Sequence, residues 1–598
     1  MVHEAIENNV HSLIEAGDIF LRELDFKTAI TCYVKALEYP LDANALRRVY
    51  TNLGVAYKRE GLLEKAVAIL ERGIVLDDSY VPFYSNLSSV LRLQKQYAKS
   101  AQMLWKTISM THKLHDYITL VELLKLLKKP EEALRVANEI VKKFPNEYES
   151  YLNLGNLFAF LRLFQKAVDP YTRAIRLAPD KTQAYNNIGV VYKELGRNEE
   201  ALFAYQKALE LNPNDSAAFN NLGNLRRNMG DTKGAIDYLK RSITLNPNYA
   251  DAYSNLGAVY KENKEFDRAI FYYQKALALN PEHTNAKFDI ALMDLSNGHY
   301  ENGWRGYEYR LKMNELLAKT HVYTSPLWQG ESLQNKTIIL QTEQGFGDTI
   351  MFIRYAPYFS ELGAKVIVRT RVELVALFRS IKEVHEIMCE EDPLPKHDFY
   401  LPLLSCPQRF KTLLHTIPRK FPYLGSPEKS QFSFDQKSLH VGITWSGSPT
   451  NRGHKDRYIG LKILSQLFDV EHITWYSLQI GEDSHEIQSL HLHDTIIDKT
   501  ELLTDFAQTA AFIEALDLVI SVDTSVAHLS GALNKKTFVL LSKPAEWRWM
   551  QEGETTPWYE NLVLFRQEKR GDWQKPILQI KEKLQGLTNA YISAQTVP

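Results

Sequence analysis

A spacing of 34 residues constrains this 598-residue chain more than any other feature. Gly155, Gly189, Gly223 and Gly257 stand 34 positions apart, as do Ala167, Ala201, Ala235 and Ala269, and Pro179, Pro213, Pro247 and Pro281. A period of this length marks one supersecondary unit copied along the chain, each copy unable to bury its apolar face alone. Glycine and alanine let two antiparallel helices approach closely, and proline stops the second helix before the next pair begins. The pattern continues upstream in Gly54 and Ala66 and in Ala133 and Pro145, with some early copies offset by a few residues. Downstream, Ala291 and Gly303 hold the same slots. The expectation is an α-solenoid of about eight repeats plus a degenerate cap over residues 1–315.

The period and its small-residue slots resemble the tetratricopeptide repeat. Such arrays coil into a superhelix whose concave face receives a polypeptide. Asn52, Asn86, Asn153, Asn187, Asn221 and Asn255 recur just before the small-residue slot, on the first helix of their repeats. Each amide offers a donor and an acceptor, so the six form a candidate ladder for an extended peptide backbone. They look like the asparagine ladder of O-GlcNAc transferases, although asparagine is also common at this position in tetratricopeptide repeats of every function. Trp304, Tyr307 and Tyr309 cluster in the cap, where joint exposure is costly, and are expected to seal the array against the C-terminal half.

Composition limits the function classes. With 45% apolar and 24% charged residues this is ordinary globular protein. A net charge of −1 argues against nucleic-acid or membrane-surface binding driven by bulk charge. Three cysteines, Cys32, Cys389 and Cys406, lie far apart without a CxxC pair, which disfavours a disulfide framework or structural zinc. No segment has the apolar length of a membrane span or the layout of a signal peptide, so the expected setting is cytoplasmic.

Composition shifts over residues 316–333, where Pro326, Gly330 and a polar run mark a linker. Residues 334–430 then read as one α/β domain: strand 336–341, the loop EQGFGD, an apolar helix kinked near Pro357, strand 365–368 and helix 372–378, closed by an irregular proline-rich stretch over 393–427. Residues 431–598 read as a second: strand 439–445, a polar loop, strand 472–478, helix 503–514, then LDLVISVDTSVAHL and strand 537–541. In that last stretch Leu516, Leu518, Val519, Ile520 and Val522 form a strand buried on both faces. Asp523 and Thr524 break it, and a helix carrying Ser525 and His528 in its first turn comes next. Its unpaired N–H groups can hold a phosphate without a lysine, or Asp523, Thr524 and Ser525 can simply cap it. Ligands of facing sheets bind beyond the carboxyl ends of strands, where EQGFGD and SVDTSVAH both fall.

The ordered segments ILQTEQGFGDTIMFIRYAPYF, ITWSGSP, YSLQIG, LTDFAQTAAFIEALDLVISVDTSVAHLSGAL, EWRWM, TPWY and LFRQ resemble bacterial tetratricopeptide proteins whose C-terminal half is similar to ADP-heptose:lipopolysaccharide heptosyltransferases. The resemblance implies a GT-B fold of two Rossmann-like domains, following the solenoid. It also implies sugar transfer from a nucleotide-diphosphate donor, with no metal and no further cofactor. Asp348 matches the candidate general base; the alternative is a helix N-cap. Gly345 and Gly347 are expected to admit donor or acceptor close to the backbone. Thr524, Ser525 and His528 are placed on the diphosphate, with Asp523 shaping the turn; the alternative for His528 is a packed histidine that touches no ligand. Lys455 and Arg457 are candidates to pair with it, or form a solvated basic loop. Ser477 and Gln479 are candidates to face the nucleotide, while Trp547, Arg548 and Trp549 are read as core and cleft wall. The chain departs from the resemblance at SGSPTN, where GNPxH is usual, and at Asn534, where glycine is common. The leading expectation is glycosylation of a protein held by the array. A glycan or lipid-precursor acceptor, and a non-catalytic scaffold, are the alternatives.

Overall fold

A computed structural model describes residues 2–313, 322–427, 432, 434, 437–447 and 457–595. The chain divides into two compact units, Met1–Val259 and Tyr260–Pro598. The first unit is built of helical hairpins such as Tyr148–Phe160 with Phe164–Leu177 and Thr182–Glu194 with Asn198–Leu211. The small slots exist because the partner helix drives a large side chain into them. A Cβ on Gly155 would lie 2.7 Å from Tyr171, on Gly189 2.6 Å from Tyr205, and on Gly223 2.7 Å from Leu239. Ala167, Ala201 and Ala235 are fully buried at the same hairpin seams. The second helices end at Leu177, Leu211 and Leu245, two residues before Pro179, Pro213 and Pro247.

The second unit begins inside the repeats. It contains helices Phe266–Leu279, Thr284–Ser296 and Tyr300–Tyr307 and the 3-10 turn Glu308–Lys312. Tyr300, Trp304 and Tyr307 share a core with Phe352, Trp547 and Trp558, and the Trp304 indole donates to the Thr412 carbonyl at 3.0 Å. Tyr309 does not join them: it stays half-buried and its hydroxyl accepts from Lys287 Nζ at 2.5 Å.

The segment expected to be a linker is packed where it is described. Tyr323 stacks on Tyr400 at 4.4 Å, and Trp328 N–H donates to the Tyr400 carbonyl at 3.0 Å. Leu327 forms a bridge to the same residue. The proline-rich stretch conceals the strand to which these residues attach.

Two parallel sheets complete the unit. The first has β1 (Thr337–Gln341), β2 (Lys365–Thr370), β3 (Glu386–Cys389) and β4 (Phe399–Pro402) in the order β3-β2-β1-β4. Pro402 is tolerated because β4 is an edge. The second has β5 (Leu439–Thr444), β6 (Ile473–Ser477), β7 (Ile496–Asp498), β8 (Leu518–Val522), β9 (Thr537–Leu541) and β10 (Leu562–Arg566). Its order is β10-β9-β8-β5-β6-β7. Strands thus run outward to both sides of β5, with the switch of direction between β5 and β8, the hallmark of a doubly wound sheet. The five residues of β8 are all buried, which explains their apolar run.

Helix Phe506–Ala515 starts later than expected because Asp505 caps it, accepting from Gln508 N–H at 2.9 Å. The helix after EQGFGD starts earlier, at Phe346. It breaks at Ile353–Tyr355, and a new helix begins at Ala356 with Pro357 in its first turn, a position that needs no N–H donor.

Candidate functional site

Loops at the carboxyl ends of both sheets open onto one crevice of about 910 Å³. Gln344 to Asp348 follow β1 and Arg371 follows β2. On the other side Ser446 and Gly447 follow β5, Gln479 follows β6, Asp523 to Val526 follow β8, and Glu546 and Arg548 follow β9. The gap between β5 and β8 is where the strand order reverses, the point at which doubly wound sheets take ligands.

Asp348 lies in this crevice, but it is not an N-cap. Gly345 occupies that place, and Asp348 is the third residue of the helix, its Oδ2 accepting from Gly345 N–H at 3.3 Å. Its other oxygen, Oδ1, receives the Arg548 guanidinium. Gly347 owes its small size to the protein itself: a Cβ there would lie 2.6 Å from His528 Cδ2. No ligand is needed to explain it. Gly345 has an ordinary φ of −77° and room for a side chain.

Across the crevice Thr524 opens the helix Ser525–Ala532 without a side-chain cap, its hydroxyl bonding instead to Ser521 Oγ at 3.0 Å. The first-turn N–H groups therefore keep the unpaired character that a helix start confers. His528 is buried beneath them, its Nδ1 2.9 Å from the Tyr559 hydroxyl and its ring stacked on Trp549 at 4.9 Å. Burial, reinforced by Arg548, pushes its pKa down to about 3, so the imidazole is neutral at physiological pH.

Arg457 and Arg548 are both held by carboxylates. Arg457 Nε lies 3.3 Å from Asp523 Oδ2 and its Nη2 2.7 Å from Glu546 Oε1; Glu546 Oε2 reaches Arg548 Nη1 at 2.8 Å. Burial opposes the charge on Arg548, but Asp348 and Glu546 outweigh it and hold its pKa above the ordinary value. The resulting chain, Asp348–Arg548–Glu546–Arg457–Asp523, spans the crevice. Arg371 stands outside it, its guanidinium 3.5 Å from the centre of the Phe346 ring.

One residue expected in the site does other work. Ser477 is fully buried and does not line the crevice; its Oγ accepts from Gln479 N–H at 3.2 Å. The reason is the strand's end, which turns Leu478 and Gln479 toward the opening instead. Gln479 lines it while its Oε1 accepts from Trp445 and Ser446 N–H at 3.1 and 2.9 Å, so it also fixes the β5 loop. Lys455 lies outside the described residues. Arg548, which reads as wall in the sequence, is at the centre of the ion-pair chain, and Glu546, which sequence reasoning misses, joins its two arginines. The available signal is an arginine between two tryptophans, since a charge set among buried aromatics needs a partner.

In the repeats, Asn52 Nδ2 donates to Asp18 Oδ1 at 2.7 Å, Asn187 to Asn156 Oδ1 at 2.8 Å, and Asn255 to Asn220 Oδ1 at 2.8 Å. One amide hydrogen of each thus stitches neighbouring repeats. Asn153 is buried with its Oδ1 unpartnered, and Asn86 and Asn221 are half-buried.

Among the described residues no helix is long and apolar enough to cross a membrane. Comparison with known proteins finds tetratricopeptide-repeat patterns over residues 48–80, 123–182, 182–215, 204–237, 223–264 and 250–283. The chain is similar to Protein FlbA of Caulobacter vibrioides, 25% identical over 310 residues, covering 47% of this chain and 51% of that one. It therefore spans about half the length of this curated relative. Among solved structures, YrrB, described as a tetratricopeptide protein with an unusual peptide-binding site, is 25% identical, with TM-score 0.25 over 31% of this chain and 96% of its own. A thermophilic tetratricopeptide protein of Thermus thermophilus is 21% identical, with TM-score 0.28 over 29% and 95%. The helical hairpins of the N-terminal half are tetratricopeptide repeats, a protein-binding scaffold.

Proposed function

We propose that the second unit is a glycosyltransferase of the GT-B kind, and that the repeats select its protein acceptor. The observation that carries the reading is that Asp348 and Ser525, in the first turns of helices that follow strands of two different parallel sheets, line one crevice. A nucleotide-diphosphate sugar fits its chemistry: the diphosphate at the uncapped start of the Ser525–Ala532 helix with Arg457 and Arg548 beside it, the sugar between that helix and Asp348. Asp348 then takes the proton of an acceptor hydroxyl. The hydroxyl oxygen forms the new bond to the anomeric carbon while the bond from that carbon to the diphosphate breaks, its electron pair leaving with the diphosphate. His528, neutral at working pH, supports the Gly347 turn rather than titrating in the reaction.

The ladder amides bear on the acceptor. With one hydrogen of Asn52, Asn187 and Asn255 bonded within the array, a peptide bound along them meets mainly their remaining hydrogen and carbonyl. The test incubates the full chain with a panel of nucleotide sugars and candidate protein acceptors, following nucleoside diphosphate release and acceptor mass. Transfer with at least one donor is expected. Neither transfer nor hydrolysis with any donor overturns the reading in favour of a scaffold.

A further inference from the structure

We infer that Arg548 holds Asp348 and lets go only when a diphosphate takes the carboxylate's place, so that donor binding precedes and enables proton removal from the acceptor. The inference rests on the transferase reading and adds an order of events to it.

Asp348 and Arg548 are 200 residues apart in sequence and sit on helical turns that follow strands of different sheets, yet they form the ion pair that bridges the crevice. Their side chains are 18% and 10% exposed, so solvent screens the pair little. Two guanidiniums, Arg457 and Arg548, face three carboxylates, Asp348, Glu546 and Asp523. This leaves no surplus positive charge in the chain to receive a diphosphate. An incoming anion held at the helix start can therefore gain Arg548 only by displacing a carboxylate from it, Arg371 being the one crevice arginine among the described residues that stands outside this chain. Asp348 has a second anchorage, since its Oδ2 already accepts from Gly345 N–H. It can lose Arg548 and remain at the start of its helix, where the partial positive charge still favours it. Arg548 is equipped for the exchange: its buried Nε has no partner, and a guanidinium binds phosphate oxygens as readily as carboxylate.

While Oδ1 of Asp348 holds the Arg548 guanidinium and Oδ2 accepts from Gly345 N–H, both oxygens are engaged within the protein and neither faces an acceptor hydroxyl unopposed. Moving Arg548 onto the leaving group corrects this in the same step that neutralises the diphosphate. Arg548 touches the leaving group directly and sets the state of Asp348 indirectly.

The coupling predicts a result that simple loss of a site residue does not. Asp348→Asn keeps the amide oxygen for Gly345 N–H but removes the charge competing for Arg548. Titration of the full chain with inorganic pyrophosphate, UDP, ADP and GDP by calorimetry is expected to show at least about tenfold tighter binding in D348N than in the unmodified protein, roughly the weight of one charge-assisted hydrogen bond. Asp348→Ser, which also frees Arg548, is expected to give the same gain should the asparagine variant fold poorly. In an Arg548→Lys background the gain from D348N is expected to shrink to less than about a third of that, because a lysine binds as a point charge without the planar fork. If the unmodified protein binds a diphosphate and both Asp348 variants bind it equally or more weakly, the coupling is overturned and the transferase reading stands. If the unmodified protein binds none of the four, both fall.

Discussion

Trp304 lies on a helix that the sequence period assigns to the repeats, but its energy belongs to the core of the second unit. The side chain is 2% exposed, packs within 5.3 to 6.2 Å of Tyr300, Tyr307, Phe352, Trp547 and Trp558 between ring centres, and donates to the Thr412 carbonyl. Trp304→Ala removes the indole and leaves that carbonyl unpaired. Truncating a buried tryptophan costs roughly 3–5 kcal/mol, and the lost hydrogen bond adds about 1 kcal/mol. With a urea m-value of about 3 kcal/mol/M, a loss of about 5 kcal/mol lowers the unfolding midpoint by about 1.7 M. Tryptophan fluorescence reports on this unit almost alone, since Trp105 is the one tryptophan of nine outside it. A fluorescence midpoint within about 0.3 M of the unmodified protein, converted by the same slope, would refute the reasoning. Trp304 would then be packed only as a repeat residue.

Other perturbations test other parts. Arg310→Met leaves Glu343, 2% exposed and paired to Arg310 at 2.6 Å, as an unmatched buried charge; it is expected to destabilise the second unit by about 3–5 kcal/mol in urea unfolding, and a loss below about 1 kcal/mol refutes that. Gly189→Ala places a methyl 2.6 Å from the Tyr205 ring and is expected to cost about 1–3 kcal/mol by overpacking, read as a lower helical melting point by circular dichroism. The folded-state pKa of His528, about 3, lies below its ordinary 6.5, so its contribution is complete above pH 6.5 and is lost as pH falls toward 3. Unfolding free energy of the unmodified protein is thus expected to decline below pH 6.5 by up to about 1.4 kcal/mol per unit more steeply than that of His528→Asn; parallel profiles refute it.

The solenoid is legible in the sequence because its physics is local: each slot is a short-range steric requirement, repeated until accident is excluded. The buried strand Leu518–Val522 and helix Val372–Phe378 are legible for a similar reason, each carrying its signal within its own span. What the sequence conceals is pairing across distance. β4 hides in a proline-rich stretch because its partners, β1 and the Leu327 bridge, are supplied elsewhere. Ser477 and Gln479 separate only once the end of β6 is fixed, since one residue decides which side chain faces the opening. Arg548 looks like core because it is buried among tryptophans. Its carboxylate lies 200 positions away and leaves no local trace.

Four glycine slots of the first unit are filled from within their own copies, by the side chain sixteen positions on: Leu70 for Gly54, Tyr171 for Gly155, Tyr205 for Gly189 and Leu239 for Gly223. Lock and key thus travel together. A recombination event that gains or drops one 34-residue block carries both halves of the fit, and the new junction needs only a neighbour of the same kind. The reach of the scaffold can change across generations without any change to the crevice, so ancestral lengthening or shortening is expected in whole steps of one helical hairpin.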